Sequence, residues 1–348
     1  MTRLLLTASQ TDRGNNASSK PRDDIEYFLK QAGYQTMHLG INIQSKVHKA
    51  IFRYWVLSHR VARELTEINP DEIFIQYPIY SDVIMDQLLK VINQLPKRQT
   101  KQCQIYLIIH DVESLRLYRD KPQFAAHEVD RFNQFDGLIV HNQAMADWLS
   151  NAGVKTPMTN LQFFDYQNPQ PMIQHTSDDH EICFAGNLSK SKFLNELSWY
   201  QMKLHVYGSG LQINNPSLIA EGSKTPEELP KFLHCKFGLV WDGNSAITCT
   251  GEFGDYLKYN APHKASLYLS SGLPLVVWSQ SALAPIVDQL NLGLTIDNLN
   301  DLELQIQNLS DDDYQAMVQR ASVIGNNIRQ GQMIADAADR ISEMTAGR

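Results

Sequence analysis

The sequence predicts an α/β protein built as two doubly wound domains, and three observations predict it. The chain has 348 residues, 43% hydrophobic and 20% charged, more than one ordinary domain of roughly 100–200 residues. Short β-rich apolar runs alternate with helix-period segments through both halves, the rhythm of parallel sheets covered by helices. Between the halves, Thr156–Asp179 sets Pro157, Pro169 and Pro171 among Gln, Asn, Thr, Ser and Asp, the composition of an exposed connection. The division is placed at 1–168 and 169–348.

The elements follow in order. Leu4–Ala8 reads as a buried strand that ends in the polar loop Ser9 to Lys20. A helix is expected over Asp23–Gln31, stopped by Gly33, then a strand at Thr36–Leu39 and a long amphipathic helix across Val47–Glu67. Glu72–Gln76 is a strand, Ile84–Leu95 a helix, Ile105–Ile109 a strand closed by His110-Asp111, Gly137–Val140 a strand and Gln143–Asn151 a helix. In the second half, the strands are Glu181–Ala185, Lys203–Tyr207, Phe237–Trp241 and Leu275–Trp278. Helices are expected from Lys190, over Pro226–His234, Pro262–Ser271 and Leu283–Leu290, and from Asp311 to Ile328. No fixed-period repeat is present, which excludes solenoids and propellers. Ligands of this architecture bind outside the carboxyl ends of the strands.

Composition excludes several classes. A formal charge of −7 is not that of a broadly cationic nucleic-acid binder. Cys103, Cys183, Cys235 and Cys249 are widely spaced without C-x-x-C, which speaks against a disulfide scaffold or a cysteine zinc site and fits a reducing compartment. The apolar run at the start is too short for a signal peptide, and no segment offers the roughly 20 apolar residues of a membrane span. A cytoplasmic protein is expected. No His spacing of a metal motif occurs, and Asp311-Asp312-Asp313 reads as a helix N-terminus.

Two strand-to-helix turns carry the wrong charge for a helix start. In Tyr259-Asn260-Ala261-Pro262-His263-Lys264, Pro262 suits a first helical turn, which puts Ala261 at the cap, and Lys264 then faces the positive end of the dipole. A bound anion would resolve both oddities by taking the free N–H groups while Lys264 neutralises it. An exposed lysine at a water-capped helix end is the alternative. In Gly186-Asn187-Leu188-Ser189-Lys190, Ser189 is a candidate cap and Lys190 opens the helix, again an anion site or a solvated lysine. Tyr207-Gly208-Ser209-Gly210 follows a strand; its glycines would let a ligand approach the backbone and Tyr207 could stack on a ring, unless the segment is a plain turn. Neither G-x-G-x-x-G nor G-x-x-x-x-G-K-[ST] occurs, which removes the usual warrant for nicotinamide and P-loop chemistry. In the first half, the loop Thr11–Lys20 has hydroxyls and amides suited to phosphates or sugars, or is merely a connection. His110-Asp111 closes a central strand, where a carboxylate or imidazole could take a proton from an acceptor hydroxyl; equally, Asp111 could cap a following helix.

The run Gly238-Leu239-Val240-Trp241-Asp242-Gly243, then Thr248–Lys264, Ser266–Leu269, Gly272-Leu273-Pro274 and Trp278 resembles bacterial GT-B galactofuranosyltransferases, which are similar in turn to the glucosyltransferases that extend glycans on serine-rich-repeat adhesins. The likeness is dense from Cys183 to Ala284 and looser in the first half, at Arg13-Gly14-Asn15 and Ile109-His110-Asp111. It implies the GT-B fold, two facing Rossmann-like domains with an interdomain cleft: an acceptor-side domain first and a nucleotide-sugar-binding domain second. It implies UDP held mainly by the second domain, no metal and no separate cofactor. Lys190, in its turn with Asn187, and Lys264 would contact the diphosphate, Tyr207, Gly208, Ser209 and Gly210 the uridine side. Tyr259, Asn260, Ala261, Pro262 and His263 would close around the nucleotide, and Asn15, Asn16, Ala17 and Ser18 would reach the diphosphate from the first domain. Asp111 is then the candidate base and His110 the second. Two positions depart from the family pattern: Ala261 stands where Asn is frequent, and Lys190 where arginine is, which keeps the charge and loses the bidentate fork.

The function so implied is metal-independent transfer of a hexosyl group, galactofuranose, glucose or N-acetylglucosamine, from a UDP-sugar to a hydroxyl of a glycan, glycoprotein or lipid-linked glycan, with at most transient membrane association. Two alternatives are a nucleotide-sugar 2-epimerase of the same fold and a non-catalytic partner subunit. Homo-oligomerisation is implied by the resemblance alone. The C-terminal helices bearing Met317, Val318, Ile324, Ile328, Ile334 and Ile341 could serve such an interface or, the better-supported alternative, pack back across the domains.

Overall fold

The computed structural model describes residues 1–8, 19–39, 52–79, 81–173 and 182–346. The expected loop residues Asn15, Asn16, Ala17 and Ser18 and the beginning of the helix expected over Val47–Glu67 lie outside the described residues.

Two six-stranded sheets carry the molecule. The first is built from β1 (Arg3–Thr7), β2 (Gln35–His38), β3 (Glu72–Tyr77), β4 (Gln104–Ile109), β5 (Gly137–Val140) and β6 (Met158–Asn160), in the order β2-β1-β3-β4-β5-β6. The second comprises β7 (Ile182–Ala185), β8 (Leu204–Tyr207), β9 (Leu218–Gly222), β10 (Phe237–Val240), β11 (Leu275–Trp278) and β12 (Gly293–Ile296), in the order β12-β11-β10-β7-β8-β9. Every described pairing is parallel. Each sheet winds outward in both directions from its first strand, so each has a switch point: between β1 and β3, and between β7 and β10. This is the GT-B arrangement of two Rossmann-like domains. The inner strands are apolar on both faces, as helices on both sides require, and the runs Leu4–Leu6, Ile105–Ile109 and Leu275–Trp278 are buried throughout.

The helices of the first domain are α1 (Lys20–Gln31), α2 (Ala62–Ile68), α3 (Asp82–Asn93), α4 (Pro96–Gln99), α5 (Pro122–Phe132) and α6 (Gln143–Asn151). A π-helical segment, Phe52–Val61, leads into α2. Those that follow are α7 (Gly251–Tyr256), α8 (His263–Ser270), α9 (Ala284–Leu290), α10 (Leu302–Gln307), α11 (Asp311–Arg329) and α12 (Gln332–Thr345). α12 crosses back to the first sheet, where Ile334, Ala337, Ala338 and Ile341 join the cluster of Leu5, Phe74, Tyr106 and Ile139. Asp165 holds its start, accepting from the N–H groups of Met333 (3.1 Å) and Ile334 (2.7 Å). No described helix is long and apolar enough to cross a membrane.

Several expected elements need correction. The helix expected from Lys190 is two 3₁₀ turns, Leu188–Lys190 and Lys192–Glu196, and Pro226–His234 contains one 3₁₀ turn, Leu229–Phe232. No helix directly follows Asp111: the next one is α5, so Asp111 is not a cap. Strands β6, β9 and β12 and helices α4, α5, α7 and α10 had no counterpart in the expected elements.

α8 and α11 are held together at Gly325. A Cβ there would stand 2.0 Å from the Leu269 carbonyl oxygen, so only hydrogen fits. Helix propensity alone favours Gly325→Ala by about 1 kcal/mol. The packing reverses that sign: the variant is expected to lose about 1–3 kcal/mol, read from the denaturation midpoint, as α11 is pushed off α8. An unchanged or raised midpoint would contradict the close helix contact.

Candidate active site

The switch point of the second sheet gathers three backbone features. The turn after β7 starts at Gly186, and Asn187 caps the 3₁₀ turn: its Oδ1 accepts from the Ser189 N–H (3.1 Å) and the Ser189 hydroxyl (2.6 Å). Ser189 is therefore the capped residue, not the cap. The turn after β8 lies directly on this one, with the N–H of Gly186 donating to Tyr207 O (3.0 Å) and that of Leu188 to Ser209 O (3.1 Å). Gly208 makes the approach possible: at φ +150° a Cβ would fall 1.9 Å from the Gly186 carbonyl oxygen. The third feature is the start of α8. Pro262 is itself the cap residue, at φ −62° and ψ 135°, and the helix begins at His263. This corrects the expectation that Ala261 caps; the Ala261 N–H instead donates to Nδ1 of His141 in the first domain (3.0 Å). Pro262 offers no side-chain hydrogen bond to the first helical turn.

Lys264 joins these features. Its ammonium donates to Asp242 Oδ2 (2.9 Å) and Trp241 O (3.2 Å) just past β10, and lies 4.6 Å above the Phe184 ring of β7. It therefore sits between the ends of β7 and β10, the crevice that a doubly wound sheet opens at its switch point. Lys190 points elsewhere, with its ammonium 4.6 Å from the centre of the Phe253 ring.

A cavity of about 360 Å³ opens here, lined by Tyr166, Ala185, Gly186, Asn187, Tyr207, Gly208, Ser209, Ser223, Lys224, Pro226, Leu229, His263, Lys264 and Leu267. Of the candidate binding residues, Asn187, Tyr207, Gly208, Ser209, His263 and Lys264 line it, while Lys190, Gly210, Tyr259, Asn260, Ala261 and Pro262 are not among its lining residues. Tyr207 is 5% exposed, and its hydroxyl donates to Phe232 O (2.6 Å), so it forms a wall with its polar end engaged, not a free stacking platform. Tyr259 serves the domain contact: its carbonyl accepts from Asn142 Nδ2 (2.9 Å) and its ring meets Trp148 edge-on. Sequence reasoning missed Tyr166, Ser223, Lys224, Pro226, Leu229 and Leu267. Ser223 and Lys224 follow β9, and recognising that strand would have placed them at a carboxyl end.

On the first domain, His110 is engaged with Gln76 Oε1 (2.7 Å) and stacks on Phe164, and burial pushes its pKa well below the ordinary imidazole value, so the ring is neutral. Asp111 accepts from Arg116 (2.5 Å), and burial raises its pKa against the pull of that guanidinium. Tyr256 of α7 meets the same place from the second domain, accepting from the Val112 N–H (3.1 Å). His141 is fixed between the domains, with Nε2–H donating to Ile109 O (3.1 Å) and Nδ1 accepting from Ala261; burial lowers its pKa to about 4. Among the described residues no group of three or more His, Cys, Asp or Glu could hold a metal ion.

Known proteins resemble this chain in sequence or in fold. Beta-1,6-galactofuranosyltransferase WbbI of Escherichia coli K12 is 28% identical over 239 residues, covering 67% of this chain and 70% of that protein. Glucosyltransferase 3 of Streptococcus gordonii is 26% identical over 327 residues, covering 91% of this chain and 92% of that one. The crystal structure of Anabaena Alr3699/HepE in complex with UDP and glucose superposes with a TM-score of 0.59 over 98% of this chain and 100% of that one, at 13% identity, a likeness of fold. Sequence models of the N-terminal and C-terminal domains of the glucosyltransferase 3-like family match residues 3–163 and 182–341, one on each sheet, and the chain belongs to that family.

Proposed function

We propose that the protein is a metal-independent glycosyltransferase that moves a hexosyl group from a UDP-sugar to a hydroxyl of a glycan or glycoprotein, with galactofuranose, glucose and N-acetylglucosamine as the sugars to test. The observation that carries this reading is the meeting of Lys264, the start of α8 and two glycine turns on one cavity at the switch point. A diphosphate fits such a place because fixed N–H dipoles and an ammonium stabilise the charge that grows on it as the sugar leaves. Lys264 would exchange part of its contact with Asp242 for the diphosphate. Lys190 would reach it by leaving Phe253, and Asn15 to Ser18 would approach it from the first domain. The uridine would lie toward Tyr207–Gly210 and the Ser223-Lys224 turn. Asp111 would take the proton of the acceptor hydroxyl. The four cysteines are free and buried, in keeping with work in the cytoplasm. Family membership supports assembly as a homo-oligomer.

Thermal unfolding with UDP, GDP, UDP-glucose, UDP-N-acetylglucosamine and both ring forms of UDP-galactose tests the donor class. A ligand at about 100 times its Kd adds about 2.7 kcal/mol of stability. Stabilisation by UDP and by one UDP-sugar, not by GDP, is the expected pattern, with transfer unaffected by EDTA. No stabilisation by any of them would overturn the donor reading in favour of a partner subunit, and sugar interconversion without acceptor would make the protein an epimerase.

A further inference from the structure

Where α1 of the first domain meets the start of α8, two buried polar atoms face each other without partners. Asp24 Oδ2 and His263 Nε2 are 3.7 Å apart; solvent reaches neither, and neither makes a hydrogen bond. The gap is too long for a hydrogen bond and too short to admit a water. The rest of each side chain is engaged. Asp24 Oδ1 accepts from Lys20, whose ammonium also donates to Gln167 O (3.0 Å) and lies 4.4 Å over the Tyr166 ring. The His263 ring stacks on Tyr166 at 4.9 Å, and the Asp165 backbone beside it favours a ring N–H. A neutral ring protonated at Nδ1 turns the Nε2 lone pair toward the Asp24 oxygen. A carboxylate there would set lone pair against lone pair in a dry contact, a costly arrangement unless one proton lies between them.

We propose that Asp24 and His263 form an interdomain couple that holds a single shared proton, and that Asp24 is thereby a positioning residue which draws α1 onto the cavity wall made by His263. The proton sits on Asp24 Oδ2 and points at Nε2; an approach of under 1 Å would make it a hydrogen bond and draw α1 toward the start of α8. Burial acts on both partners in the required direction. It raises Asp24 to about 7, outweighing the Lys20 ammonium and the Gln167 backbone, and lowers His263 to about 3. The other charged or titratable groups around the couple are Lys20 and Asp23 on α1, Asp165 and Tyr166 on the connecting segment, Lys264 beside His263 on α8, and His110 beyond Phe164 at the end of β4. The couple itself stands on the contact described; its effect on the ligand rests on the donor reading above.

Asp24→Asn tests it, because an asparagine can accept from Lys20 with Oδ1 while its amide N–H permanently replaces the shared proton. Without ligand, the wild-type couple keeps one proton on folding between pH 4 and 6.5. The proton that a raised Asp24 gains offsets the one that a lowered His263 loses. In the variant only His263 remains, so its stability should climb with pH relative to wild type, about tenfold in the unfolding constant per pH unit across that range. A constant difference between the two proteins would overturn the couple. With UDP as probe, the wild-type Kd should rise relative to that of the variant as pH passes 7, by at most about tenfold per unit, the limit for one linked proton. The ionisation of UDP itself is common to both and cancels. A flat Kd ratio would overturn the link to the site. The expected stability slope in proteins that UDP fails to protect would sink the donor reading and leave the couple standing. If the variant does not fold, ring-nitrogen shifts of His263 in the wild type decide: a neutral Nδ1–H ring from pH 8 down to 5 is expected, and titration near the ordinary 6.5 overturns the couple.

Discussion

Lys264→Ala is expected to abolish transfer while leaving the fold intact. The lysine stands in the first turn of α8, where its charge opposes the helix dipole and is therefore a poor choice for stability. It is held between the ends of β7 and β10 by Asp242, Trp241 and the face of Phe184, so its ammonium is already in place when the donor arrives. Removing one preorganised stabiliser of developing charge costs about 10²–10³ in turnover, and removing a full charge beside a diphosphate falls at the upper end. The structural cost is small because the Asp242 side chain, 30% exposed, can turn to solvent once its partner is gone. The measurement is kcat and UDP affinity for both proteins beside their thermal midpoints. A large loss of kcat and a weaker Kd with an unchanged midpoint is the expected result. Full activity would remove Lys264 from the diphosphate site and with it the main support for the donor cavity. Lys264→Arg should recover only part of the activity, since the planar fork does not fit a pocket that holds a compact ammonium against a ring face and a backbone carbonyl.

What was legible in the sequence followed from burial. The inner strands β1, β3, β4, β7, β10 and β11 are continuous apolar runs because helices cover both their faces, and each was expected within a residue or two. The strands that escaped notice, β6, β9 and β12, are all at sheet edges. β9 reads Leu-Ile-Ala-Glu-Gly with no buried position and β6 has three residues, so neither shows the run that marks a core strand. Missing β9 hid Ser223 and Lys224. Lys264 was legible for another reason: it breaks a local rule about helix starts, and such a breach marks a position that serves something other than the helix. Its turn was misread by one residue because proline can be the cap as well as the first helical residue. Tyr166 and Asp24 were not legible at all. Each meets His263 only through a contact between distant segments, Tyr166 by stacking and Asp24 across the domain boundary, and no local pattern encodes such a meeting.

Asp111→Asn is expected to lower turnover by about 10²–10⁴ and to leave UDP affinity unchanged. The substitution keeps shape and the ability to accept from Arg116, but not basicity, so it separates positioning from proton transfer. Asp111 lies just past β4, at the carboxyl end of an inner strand of the first sheet, whereas the cavity proposed for the donor is lined, Tyr166 apart, by residues of the second half. Loss of the base should therefore appear in kcat and not in nucleotide binding. Burial raises the pKa of Asp111, with Arg116 and Tyr256 pulling the other way. The sign follows: a base needs the ionised carboxylate, so transfer should fall on the acid side at a higher pH than an ordinary carboxylate allows, and that limb should vanish in the variant. His110, the second candidate, is the weaker base of the two positions: its neutral ring can accept a proton, but burial lowers its basicity and Nε2 is engaged with Gln76. The hydroxyl of Tyr256 reaches Asp111 from the second domain, so the carboxylate is set by both halves of the molecule, with Arg116 on its own side and Tyr256 on the other. Tyr256→Phe should then shift the acid limb upward, since a hydrogen bond that favours the ionised form is lost while the ring still fills its place. An unchanged rate in Asp111→Asn would remove Asp111 as base; an unchanged acid limb in Tyr256→Phe would show that the proton acceptor is set by the first domain alone.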